Sequence, residues 1–206
     1  MPLLSLMHMI QNYIQQLTQA EPIFQNIILR YGMPKITTRK AGFGALVHLI
    51  LEQQVSIASA KSCYIKIENH SPIIPKKLLL ISDEQFKTLG VSKQKTLYIK
   101  NLAQQIVDNT IDIENLHTLP NEEIFKKLTS LKGIGNWTAQ VYMMFCLQNP
   151  DIFPVGDIAV QKTMQELFGC TTIQQMEEKA NQWKPYRSYA TYILWHHYLS
   201  IRNRSV

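Results

Sequence analysis

Apolar residues recur at helical spacing along almost the whole chain. Phe43, Leu46, Val47, Ile50 and Leu51 follow the i, i+3, i+4, i+7, i+8 pattern of a helix with one face in a core. Val55-Ser56 offers a new start, with Ser56 as N-cap and Ile57, Ala60, Tyr64 and Ile67 on the next apolar face. Ser82 with Gln85, and Thr172 with Gln175, have capping-box spacing. The first box opens a short helix that Gly90 ends; the second precedes Ile173, Met176, Ala180 and Trp183. Ser92 caps a helix carrying Leu102, Ile106 and Val107, and Pro185 sets off a last one with Tyr189, Ile193 and Leu199. The acidic pairs Asp83-Glu84, Glu122-Glu123 and Glu177-Glu178 read as helix N-terminal charges rather than chemistry. Period-2 alternation is confined to Ile111–Ile113, too short for a sheet, and Asn69–Lys77 reads as the clearest loop. The pattern predicts one all-α domain over residues 1–206, with about nine or ten helices.

Composition narrows this. A chain that is 46% hydrophobic and 17% charged is globular rather than disordered. Lys and Arg total 21 against 15 for Asp and Glu, a net charge of +6 that favours a polyanionic partner without specifying one. Cys63, Cys146 and Cys170 are odd in number and never spaced C-x-x-C, which excludes zinc ribbons and four-cysteine iron–sulfur clusters. Reduced thiols in a cytosolic or nuclear compartment are expected. Met1–Ile10 is apolar but lacks a basic leader, and no apolar run reaches the length of a membrane span. His196 and His197 fall about 100° apart on a helix, a poor chelate, so no catalytic metal is expected.

The candidate chemistry lies between Leu119 and Phe168. Asn121 is placed to cap a helix whose apolar face is Ile124, Phe125, Leu128 and Leu131. Lys132-Gly133-Ile134-Gly135 then makes a tight turn before a second helix near Asn136, giving a hairpin over about residues 121–147. The glycines permit unusual backbone angles and close approach of another surface, while Ile134 anchors the turn. Amides at the start of the second helix make a phosphate site that needs no basic side chain. By itself, a G-x-G turn is also compatible with an αα-hairpin that binds nothing. Asp157, behind Phe153-Pro154-Val155-Gly156, is likewise compatible with a plain N-cap.

Leu131–Ala139 (LKGIGNWTA) followed by Phe153–Lys162 (FPVGDIAVQK) resembles the helix-hairpin-helix and Gly/Pro–Asp signature of the DNA glycosylase superfamily. Leu49–Ala60 (LILEQQVSIASA), Leu89–Ala103 (LGVSKQKTLYIKNLA) and Trp183–Trp195 (WKPYRSYATYILW) resemble its alkylpurine branch, the 3-methyladenine DNA glycosylase II type. The five segments span most of the chain from about residue 40 to 200, in order. The resemblance implies a compact orthogonal helical bundle of two lobes flanking a DNA cleft, like the members without an N-terminal α/β domain. It implies a monomeric, intracellular enzyme of the nucleoid or nucleus. Its reaction would be hydrolysis of the N-glycosidic bond of alkylated purines such as 3-methyladenine and 7-methylguanine in double-stranded DNA, in base excision repair. Water is the nucleophile, so no cofactor is implied, although family hairpins can hold a structural monovalent cation.

Carried over residue by residue, Asp157 matches the catalytic aspartate that stabilises positive charge developing on the sugar. Trp137 stands where strand-nicking members carry a Schiff-base lysine, which implies a monofunctional enzyme. Its indole suits stacking on a cationic base. Trp195 matches another pocket aromatic, and Tyr142 and Tyr189 are further pocket candidates. Gln54 aligns with the wedge that fills the gap left by an extruded base, with Gln53 close enough to share the role. Lys132, Gly133 and Gly135 are the hairpin's DNA contacts, Lys132 departing from the family's usual proline. Lys93, Lys95, Lys184 and Arg187 are basic groups that fit either a phosphate contact or a solvated face. Two alternatives remain: a non-catalytic hairpin module that binds distorted duplex, and a same-fold glycosylase for deaminated or oxidised purines.

Overall fold

The computed structural model describes residues 3–202, and among these every regular element is helical. The order is α1 (Leu3–Ala20), α2 (Pro22–Tyr31), α3 (Phe43–Glu52), α4 (Ile57–His70), α5 (Pro75–Leu78), α6 (Asp83–Thr88) and α7 (Lys93–Val107). After a 3-10 turn at Leu116–Thr118 come α8 (Asn121–Thr129), α9 (Asn136–Phe145), α10 (Ile158–Phe168), α11 (Ile173–Asn181) and α12 (Arg187–Ser200). The chain forms two compact units, Thr38–Leu147 and Met1–Thr37 with Gln148–Val206. No described helix is long and apolar enough to cross a membrane.

The caps mark the helix starts as the sequence implies. Ser56, Ser92 and Asp157 each accept a backbone N–H three residues on, and Ser82 and Thr172 complete capping boxes with Gln85 and Gln175. Several expectations need correction. The described helices outnumber the nine or ten expected, because α1, α2 and the one-turn α5 also form. Asn69 and His70 finish α4 and Pro75–Leu78 is helical, since proline at the first helical position costs no hydrogen bond. Pro120 occupies the N-cap of α8, making Asn121 the first helical residue. Glu177 and Glu178 lie beyond the first turn of α11. Ile57 and Ile173, the first residues of α4 and α11, are 62% and 45% exposed, outside the faces that their helices bury.

In the unit Thr38–Leu147, α3 is the central helix. Leu46, Val47, Leu49 and Ile50 are fully buried, and α3 packs on α4, α7 and α9. In the other unit α12 packs on α1, α2 and α10. Trp183 fills its core, with ring centroids 4.9 Å from Phe24, 5.4 Å from Phe168 and 6.1 Å from Phe153. The nearly buried Glu21 is held by Lys179 at 2.7 Å.

Tyr142 of α9 belongs to the core. Its ring is wholly buried, and its hydroxyl oxygen accepts the buried Gly42 N–H at 2.9 Å, at the entrance to α3. Burial pushes its hydroxyl pKa well above the usual tyrosine value. A ring with no exposed face cannot stack on a base, so the pocket expectation for Tyr142 gives way to a structural role. Tyr142→Phe strands a buried N–H and is expected to lower the unfolding free energy by about 1–3 kcal/mol. Denaturant unfolding checks this, and an unchanged midpoint would mean that Gly42 finds another acceptor.

Candidate functional site

The hairpin α8–turn–α9 is anchored by Leu131 and Ile134, which are 2% and 3% exposed. Gly133 has φ +90°, and a Cβ placed there would stand 2.3 Å from the Tyr98 ring. Glycine is therefore required twice over, by backbone angle and by space. Gly135 is different. Its angles (φ −85°, ψ 176°) suit any residue, and nothing lies within 4 Å of where its Cβ would be. The expectation that both glycines serve unusual backbone angles therefore holds only for Gly133. Gly135 is the N-cap of α9 and brings no side chain to its first amides, leaving an open surface at a helix N-terminus. Lys132 is exposed beside it, and Trp137 is half-buried in the first turn of α9.

The end of α3 lies in the same unit, and its two glutamines differ. Gln53 caps α3 and turns its side chain onto the hairpin, Nε2 donating to the Gly133 carbonyl at 2.8 Å and lying 3.3 Å from Thr138 Oγ1. Gln54 is exposed and has φ +58°, a left-handed conformation uncommon for a residue with a side chain. Lys95 Nζ donates to the Leu51 carbonyl at 2.7 Å, and burial lowers its pKa. It is thus a tie to α3 rather than a solvated lysine. Arg39 grips the Glu52 carboxylate with two nitrogens, at 2.8 and 3.1 Å.

Asp157 belongs to the other unit. The turn before it closes through Asp157 N–H to the Pro154 carbonyl (2.9 Å), and Gln161 Nε2 donates to the Val155 carbonyl (2.8 Å). Asp157 Oδ1 accepts two hydrogen bonds, from the Val160 amide at 3.0 Å and from Trp195 Nε1 at 3.1 Å. The carboxylate therefore is the N-cap of α10, and it is also bound by a half-buried indole 38 residues away in sequence. Trp195 in turn meets Tyr192 edge to face at 5.8 Å, and Tyr192 donates to the Thr37 carbonyl.

Tyr189, by contrast, is 7% exposed and packs against Tyr13 at 5.1 Å; burial pushes its pKa up to about 12. It is a packing residue between α1 and α12 rather than a pocket wall. Arg187 binds the Asp151 carboxylate through Nε at 2.7 Å and one terminal nitrogen at 2.9 Å, so it is an internal brace rather than a solvated cation or phosphate contact. Neither the Trp195–Asp157 bond nor the Gln53–Gly133 bond has a local spacing signal, because each joins residues distant in the chain.

A family model described as the HhH-GPD superfamily of base excision DNA repair proteins matches residues 47–187, and the chain belongs to that superfamily. Among its relatives, YfjP of Bacillus subtilis is 30% identical over 59% of this chain and 43% of its own length. The alkylbase DNA glycosidase-like protein mag2 of Schizosaccharomyces pombe is 27% identical over 75% of this chain and 77% of its own. The chain thus spans under half the length of the first of these and about three quarters of the second. The crystal structure of DNA-3-methyladenine glycosidase from Bacillus halodurans superposes with a TM-score of 0.81 at 28% identity, covering 93% of this chain and 91% of that one. The all-helical fold expected from the sequence is the fold of this superfamily.

The two hairpin glycines should separate in a stability experiment. Gly133→Ala forces a side chain into the left-handed region and onto Tyr98, and is expected to cost more than about 2 kcal/mol. Gly135→Ala should stay within about 1 kcal/mol of the parent. Thermal unfolding of both variants checks this; equal losses would contradict the distinction.

Proposed function

We propose that the protein is a monofunctional DNA glycosylase that hydrolyses the N-glycosidic bond of alkylated purines, 3-methyladenine first, in duplex DNA. The observation that carries this reading is the Asp157 carboxylate, whose Oδ1 is fixed by two donors from separate elements, the Val160 amide and the Trp195 indole. An N-cap needs only the first of these. The second orients the carboxylate, as a group that must meet a developing charge requires. The names of the mag2 and Bacillus halodurans relatives support the substrate class.

In the proposed reaction the C–N bond breaks with its electron pair going to the base. A purine methylated at N3 or N7 is already cationic and leaves neutral, so no strong general acid is needed. Positive charge appears on the sugar, where the Asp157 carboxylate stabilises it, and water adds at the same carbon, losing its proton to Asp157 or solvent. The unit Thr38–Leu147 grips the duplex through the main-chain amides at the start of α9, with Lys132 adding charge. Gln54 replaces the extruded base, and Trp137 stacks on it. Trp195 serves chiefly to orient Asp157. Both units act, on this reading, as parts of one monomeric catalytic domain.

Incubation with methylated duplex DNA and mass-spectrometric identification of released bases tests this. Free 3-methyladenine and 7-methylguanine are expected, with an intact strand that breaks only after hot alkali and no borohydride-trapped protein–DNA adduct. Release of deaminated or oxidised purines instead would transfer the site to another base class. Binding without release of any base would leave a non-catalytic module.

A further inference from the structure

We propose that Gln53 is a positioning residue that locks the Gln54 tip to the hairpin turn, so that base extrusion and phosphate grip operate with one fixed geometry. The proposal rests on the glycosylase reading for what the tip and hairpin do, and on the geometry for how they are joined.

Three consecutive residues at the end of α3 are each held by a different part of their unit. The Leu51 carbonyl accepts from Lys95 of α7, the Glu52 carboxylate is gripped by Arg39, and the Gln53 amide donates to the Gly133 carbonyl. The next residue, Gln54, is exposed in a left-handed conformation. Such a conformation is strained in a residue with a side chain, and it persists only where its surroundings over-determine it. The ties on residues 51–53 supply that determination.

Gln53 is the tie that reaches the DNA-facing turn itself. Its acceptor is the carbonyl of the hairpin glycine at positive φ, where the Tyr98 ring occupies the space a side chain would need. Tyr98 is in turn held by Gln94 Nε2 on its hydroxyl at 2.6 Å. The acceptor being a carbonyl, only a donor at position 53 can make this bond. Gln53 therefore is spent on the protein, while Gln54 faces outward.

The test compares Gln53→Ala and Gln53→Glu, the latter equal in length but without a donor, with Gln54→Ala and the double variant Gln53→Ala/Gln54→Ala. Single-turnover release of 7-methylguanine is measured from duplexes with the lesion paired to cytosine or left unpaired in a bulge. Both Gln53 variants should slow the paired substrate about three- to tenfold, the value of one lost hydrogen bond, and leave the unpaired one within about twofold. The double variant should be no slower than the slower single variant, because both changes disable one device. Multiplying losses, or equal losses on both substrates, would overturn the proposal. Hydrogen exchange on the protein without DNA gives an arm independent of any glycosylase activity. Gln53→Ala should speed exchange at both 54–56 and 133–137 with little change elsewhere; acceleration at neither segment, at only one, or throughout the chain would overturn it.

Discussion

Gly133 is pressed from three directions. Its positive φ reverses the chain between α8 and α9, its α-carbon lies against the Tyr98 ring, and its carbonyl accepts the Gln53 amide. Any side chain there collides with the ring before it meets anything else. Backbone angle, ring and hydrogen bond together fix the turn that leads into α9, with Trp137 in its first turn. Gly135, two residues on, is unconstrained by its own angles or neighbours, so its lack of a side chain is consistent with approach by a partner outside the chain.

On the proposed reading, Asp157 joins a structural role and a chemical one in a single group. Capping α10 uses one acceptor oxygen, which a Ser, Thr or Asn would also supply. The indole of Trp195 adds a second donor from α12. Two directed bonds to one oxygen restrict rotation of the carboxylate, and on the proposed reading that fixed orientation is what the reaction uses. The cap and the catalyst are then the same atoms, so the structural role of the residue is a precondition of the chemical one.

Legibility from the sequence followed the range of each interaction. Most caps, the hairpin turn and the apolar face of α3 rest on spacings of eight residues or fewer, and the pattern of residues shows them directly. The burial of Tyr142 and Tyr189 is not legible in the sequence, because an aromatic on a helix carries no sign of which neighbour covers it. Their contacts lie about 100 or more residues away in the chain: the Gly42 N–H on the Tyr142 hydroxyl, and the Tyr13 ring against Tyr189. Arg187 looked like a surface cation for the same reason, its partner Asp151 lying 36 residues upstream. Gln53 and Gln54 were indistinguishable as letters; a single backbone dihedral and one long-range hydrogen bond separate them.

On the proposed reading the negative charge of Asp157, and not its capping geometry, carries the reaction. Single-turnover excision of 7-methylguanine by Asp157→Asn tests this, because asparagine caps a helix as well as aspartate and keeps one acceptor oxygen while losing the charge. A loss of at least about a hundredfold in the chemical step is expected, with thermal stability and affinity for abasic-site duplex retained. Release at near the parent rate would contradict it, reducing Asp157 to a helix cap.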